Sequence, residues 1–135
     1  MPTQMETVII QTLRPVLDPF VIYLFGSAAR GALHPDSDVD IAFVSDGEPC
    51  DPYELFLLAG QLADKLGRDV DLVDLRRAST VFQAQVVSTG KAIDCRDERK
   101  RAEFEMKTVK MYVKLNEGRA PVLKQITESG TIYEK

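Results

Sequence analysis

Apolar positions along the chain return at two different periods. In "TQMETVIIQTLRPVLD", Met5, Val8, Ile9 and Leu13 recur at helical spacing, and Thr3 and Glu6 stand at capping-box spacing. That predicts an amphipathic helix, bent or ended near Pro15. "FVIYLFG" is a short run of β-branched and aromatic residues stopped by Gly26, as in a buried strand. "SAARGAL" predicts a short helix beginning at Ser27, broken by "HPDS"; "VDIAFV" is a second strand, closed by the turn-rich "SDGEPCDP". Asp51 and Pro52 then open a helix with Leu55, Leu58, Leu62 and Leu66 on one face and Gly67 at its end.

"DVDLVDL" predicts a third strand, and "STVFQAQVVSTG" a helix capped by Ser79 and closed by Gly90. A short "KAID" strand follows. Residues 97–118 form a long C-terminal helix with Ala102, Met106, Val109 and Val113 inward, leaving Met111, Tyr112 and Leu115 beside them as a partner surface. Residues 125–135 are expected to be a loose tail. The order α-β-α-β-α-β-α-(β)-α is that of an α/β sheet covered by helices, one domain over residues 1–124.

The 135 residues, 44% hydrophobic, suffice for one core and leave no room for a second large domain. No apolar run approaches the roughly 20 residues of a membrane span, and the first residues lack a basic and apolar leader, so the expected address is the cytoplasm. Cys50 and Cys95 make no metal-type pair and are expected to be free thiols. Residues 1–96 carry eight Lys/Arg against fourteen Asp/Glu, a balance of −6. Residues 97–124 carry eight against five, or +3. An acidic body argues against stable nucleic-acid binding. The basic segment is either a solvated helix face or a contact for something small and highly anionic, such as a triphosphate.

The chemistry concentrates between two predicted strands, in "FGSAARGALHPDSDVDIAF". A Walker A loop fails there, because Ala32 and Leu33 stand where Lys and Ser/Thr are needed. A dinucleotide fingerprint fails at Ala28. A calcium loop fails because Ile41 and Gly47 occupy its glycine and glutamate positions. On a strand, Asp38 and Asp40 share a face, while Val39 and Ile41 point to the core. Paired carboxylates stay ionised if a divalent cation neutralises them. Two such metals, about 4 Å apart, suit in-line displacement at phosphorus.

A third carboxylate comes from Asp69, Asp71 or Asp74. Asp71 is preferred, lying between Val70 and Leu72 where an unpaired carboxylate is expensive. Asp69 sits nearer the strand's start, and Asp74, of opposite parity, is expected to be exposed or to lead into a helix. Gly26 permits close backbone approach and Ser27 adds a hydroxyl at a helix N-terminus, a cradle for phosphates. Arg30 adds charge to the phosphates or locks the loop onto an acidic neighbour. His34, before a proline, is expected at the surface.

Gly26-Ser27, a ten-residue spacer (28–37) and Asp38-Val39-Asp40 resemble the signature of the polymerase-β-like nucleotidyltransferases. "GSxARGxxxxxSDxD" in so short a chain, with "VDLVDL" some thirty residues on, is similar more specifically to the minimal nucleotidyltransferases, antitoxins of HEPN-domain ribonucleases. The resemblance covers Phe20 to Leu75 strongly. It implies a mixed sheet flanked by helices, with the active site at its edge. It matches Gly26 and Ser27 to the triphosphate-binding turn, Asp38 and Asp40 to the metal pair, Asp71 to the third carboxylate and Arg30 to a frequent arginine. Ala28 departs from the bulkier aromatic of many relatives.

The implied reaction transfers AMP from ATP, with two Mg2+ ions, to a tyrosine of the partner HEPN toxin, silencing it. Three alternatives remain at this stage. A transferase acting on an antibiotic-like small molecule usually has an added helical domain, for which the chain leaves little space. A docking antitoxin would bind its partner without turnover. A template-dependent polymerase is opposed by the acidic body.

Overall fold

The computed structural model describes residues 3–26, 38–47 and 49–118. The helix expected from Ser27, His34 and the tail at 125–135 lie outside them. The first helix, α1 (Gln4–Leu17), opens on the expected capping box: the Glu6 N–H donates to Thr3 Oγ1 at 3.1 Å, and the Thr3 N–H donates to Glu6 Oε1 at 3.3 Å. It ends near Pro15, as expected, at Leu17. The proline sits in the last turn, and the helix is capped by Asp18, whose left-handed backbone returns its N–H to the Arg14 carbonyl.

The described residues hold four strands: β1 (Pro19–Phe25), β2 (Val39–Ser45), β3 (Val70–Asp74) and β4 (Lys91–Cys95). Their order in the sheet is β3-β2-β1-β4. β1 runs antiparallel to both β2 and β4, whereas β2 and β3 are parallel, so the sheet is mixed. The parallel pair requires a crossover, supplied by α2 (Pro52–Leu66), which ends on Gly67 in the left-handed region. A short 3₁₀ turn (Leu75–Arg77) and α3 (Thr80–Thr89), capped by Ser79, lead to β4, and α4 (Glu98–Gly118) closes the described chain.

Alternation along β1 and β2 feeds two cores. On one face Ile22, Leu24, Val39, Ile41 and Phe43 pack against Ile9 and Leu13 of α1 and Leu58 and Leu62 of α2. Each such side chain contributes about 1.5–3 kcal/mol by leaving water. On the other face Val21, Tyr23, Ala42 and Val44 meet Leu75, Val86 of α3 and, partly buried, Phe104 of α4. Arg14 of α1 forks onto Asp94 of β4 at 2.6 and 3.0 Å, tying the sheet edge to the first helix.

α4 is turned the other way from its apolar periodicity. Ala102, Met106, Val109 and Val113, expected inward, are exposed, Met106 at 70% and Val109 at 50%. The inward side carries Phe104, buried Thr108, and half-buried Arg101 and Glu105. The buried Tyr23 hydroxyl donates to Glu105 Oε2 at 2.5 Å, and Arg101 Nε donates to the same oxygen at 2.9 Å. A polar anchor therefore fixes the helix's rotation. Tyr112 and Leu115, expected at an exposed partner surface, are half-buried, while Met111 is exposed.

Candidate active site

The end of β1 and the start of β2 meet at a glycine. Gly26 has φ +66°, a left-handed backbone that most side chains disfavour. A Cβ placed there would lie 2.5 Å from Asp40 Oδ2 and 3.5 Å from its carboxyl carbon. The glycine therefore brings main chain directly against the Asp40 carboxylate, as the close backbone approach expected of it requires.

Asp40 is flanked in the sheet by Phe25 of β1 on one side and Asp71 of β3 on the other, both in direct register. Residues in register on neighbouring strands, about 4.8 Å apart, project from the same face. Asp40 and Asp71 therefore share a face, while Val39 and Ile41, fully buried, fill the opposite core. Asp38 has the same parity as Asp40. It is exposed, one residue before the strand begins, where the Val39 N–H donates to the Asp69 carbonyl at 2.9 Å.

Asp71 corrects the reason for which it was preferred. It is exposed, on β3, the edge strand of the sheet among the described residues. An exposed carboxylate at that position needs no burial argument; its pairing with Asp40 singles it out. Asp69 is exposed at the strand's start, as expected. Asp74, expected to be exposed or to lead into a helix, does the latter and is buried on the opposite face near the other end of the sheet. There Asp74 Oδ1 accepts the Arg76 N–H at 3.2 Å and caps the 3₁₀ turn.

Ser27 and Arg30 lie outside the described residues. Of the positions singled out in the sequence, the fold thus brings Gly26, Asp40 and Asp71 together, with Asp38 beside them at the mouth. One neighbour was missed. Phe25 packs edge-on against Phe82 of α3, with ring centroids 5.3 Å apart at 87°, so an aromatic pair stands next to Asp40. The available signal was parity, since Phe25 alternates with Tyr23 onto the Asp40 face.

Among the described residues no three Asp, Glu, His or Cys side chains converge as a ready-made metal cage. Magnesium does not need one. It takes one or two carboxylates, waters and substrate phosphates. With no Cβ at Gly26 the main chain comes directly against the Asp40 carboxylate, and Asp38, Asp40 and Asp71 offer oxygen donors of the kind such a cation takes. Cys50 and Cys95 are free, as expected, and burial, the largest influence on each, pushes both thiols up.

The family described as Polymerase beta, Nucleotidyltransferase matches residues 8–99. Protein adenylyltransferase MntA of Shewanella oneidensis is 39% identical over 122 residues, 90% of this chain and 86% of that protein. A solved toxin–antitoxin structure with AMP-PNP superposes with a TM-score of 0.80 at 39% identity, over 90% of this chain and 98% of that one. The structure of a tri-AMPylated Shewanella oneidensis HEPN toxin in complex with MNT antitoxin gives a TM-score of 0.75 at 36% identity, over 91% and 96%.

Proposed function

This chain belongs to the polymerase β nucleotidyltransferase family, and from that premise we propose that it is an antitoxin that transfers AMP from ATP to a tyrosine of a partner HEPN-type ribonuclease toxin. The single observation that carries the chemistry is the placing of Asp40 between the Gly26 turn and Asp71. The partner rests on the toxin complexes of the relatives.

In the reaction the tyrosine oxygen forms a bond to the α-phosphorus of ATP, and the bond from that phosphorus to the β-bridging oxygen breaks. Pyrophosphate leaves with the electron pair, and the phenolic proton passes to Asp71 or to water. Gly26 lets the main chain approach the triphosphate without a Cβ between it and Asp40. Ser27 supplies a hydroxyl to the β- and γ-phosphates, and Arg30 adds positive charge. Asp38 and Asp40 would hold Mg2+, two ions in the full arrangement, with Asp71 helping at the second. Held there, Mg2+ would supply positive charge for the attacking and leaving oxygens. Asp71, exposed beside Asp40, orients the incoming hydroxyl or accepts its proton. AMP on the toxin adds bulk and negative charge where RNA phosphates would bind.

The protein acts in the cytoplasm, which supplies ATP and keeps Cys50 and Cys95 reduced. No described helix is long and apolar enough to cross a membrane. The test is label transfer. The chain is incubated with Mg2+ and α-labelled ATP, CTP, GTP or UTP in a lysate of its own source, beside Asp38→Asn/Asp40→Asn. A labelled HEPN protein, strongest with ATP and absent with the double variant, is the expected result. Label on small molecules alone would replace the acceptor with a drug-like substrate. No label with nucleotide still bound would leave a docking antitoxin.

A further inference from the structure

α4 has two apolar faces, and the described fold uses one. Phe104 and Thr108 face the sheet and α3, with Tyr112 and Leu115 half-buried behind them. On the other side Ala102, Met106, Val109 and Val113 follow at spacings of four, three and four, a single straight stripe. Met106 is 70% exposed, Val109 50% and Val113 48%. With Val87 of α3 they line an open groove of about 560 Å3. Scattered exposed apolar side chains are ordinary, but a contiguous stripe along a groove marks a contact surface.

Charge and position narrow the occupant. Lys107, Lys110 and Lys114, all exposed, run along one border of the stripe, in a chain whose first 96 residues are net acidic. α4 also covers the sheet face from which Asp40 and Asp71 project, since Tyr23, of Phe25's parity, holds Glu105. A protein seated on the stripe therefore lies on the carboxylates' side of the molecule.

We propose that this stripe is the docking surface for the acceptor protein, which presents a helix of about three turns with an apolar ridge and acidic flanks. From Ala102 to Val113 the stripe is roughly 16 Å long, which sets that length. The inference rests on the function proposed above. Docking here supplies affinity for the acceptor, and the carboxylates supply the chemistry.

The test uses the acceptor identified by label transfer, purified, with two full-length variants, Met106→Ser/Val109→Asp and Lys110→Glu/Lys114→Glu. Each is expected to raise the acceptor KM at least tenfold, leaving kcat at saturating acceptor, AMP-PNP affinity and far-ultraviolet circular dichroism unchanged. An unchanged KM in both variants overturns the proposal. So does a wild-type dimer in sedimentation that Met106→Ser/Val109→Asp abolishes, which assigns the stripe to a second copy. A wild-type chain that labels no HEPN protein overturns the functional reading itself, so the two failures are distinct.

Discussion

Replacing Gly26 by alanine separates two costs that the structure assigns to this position. The first is conformational: a left-handed backbone at φ +66° costs an L-residue about 1–2 kcal/mol. The second is local. The new Cβ would sit 2.5 Å from Asp40 Oδ2, closer than real Cβ atoms come to any neighbour, so the carboxylate has to retreat. A displacement of roughly 1 Å in a reacting constellation costs on the order of 100-fold in rate. Gly67→Ala isolates the first cost, because Gly67 has φ +70° with nothing within 4 Å of its Cβ position. Urea unfolding is expected to show both variants destabilised by similar amounts, about 1–2 kcal/mol. AMP transfer is expected to fall about 100-fold in Gly26→Ala and to stay near wild type in Gly67→Ala. Near wild-type transfer by folded Gly26→Ala would refute the reasoning, since the contact with Asp40 would then carry no catalytic consequence.

Asp71→Asn is expected to reduce transfer by at least about 100-fold while changing stability by no more than about 0.5 kcal/mol, because the side chain is exposed; steady-state kinetics and urea midpoints check the two halves. Leu62→Ala, at a fully buried position between α2 and the sheet, is expected to cost about 2–5 kcal/mol in urea unfolding without altering the KM for ATP. Burial first, then the hydrogen bond to Glu105, raises the Tyr23 phenol above its ordinary value. The folded state therefore keeps a proton that the unfolded chain releases above about pH 10, and stability present below that pH is lost as pH rises further. Tyr23→Phe is expected to cost about 1 kcal/mol at neutral pH and to flatten that alkaline decline, as read from unfolding curves at successive pH values.

Where apolar alternation and capping chemistry agreed, the elements were legible in the sequence. β1, β2, the capped start of α1 and the Gly67 end of α2 stand where the pattern puts them. The shared face of Asp38 and Asp40 followed from their alternation with Val39 and Ile41, both buried. The pattern failed where polar contacts outweighed it. In α4 the tidier apolar stripe faces out, because Glu105 and Arg101 engage buried Tyr23 across 82 residues of chain, a contact that periodicity does not register. Asp74 leads into a helical turn, one of the two places expected of it, but it is buried there. A carboxylate that caps the turn two residues on can be buried, whereas strand parity alone reads it as outside. Asp71 was chosen for a burial it lacks, and its register with Asp40 depends on strand order, which makes β3 an edge and is not written in local sequence.

The most direct measurement is the intact mass of a purified, unmodified HEPN toxin from the protein's own source after incubation with this chain, Mg2+ and ATP labelled at either the α- or the γ-phosphate. Fragmentation then locates the added group, and Asp38→Asn/Asp40→Asn runs in parallel. The account predicts whole AMP units on tyrosine, retaining α-label and no γ-label, made by the wild-type chain alone. An unmodified toxin, a γ-labelled one, or equal modification by the double variant would contradict it.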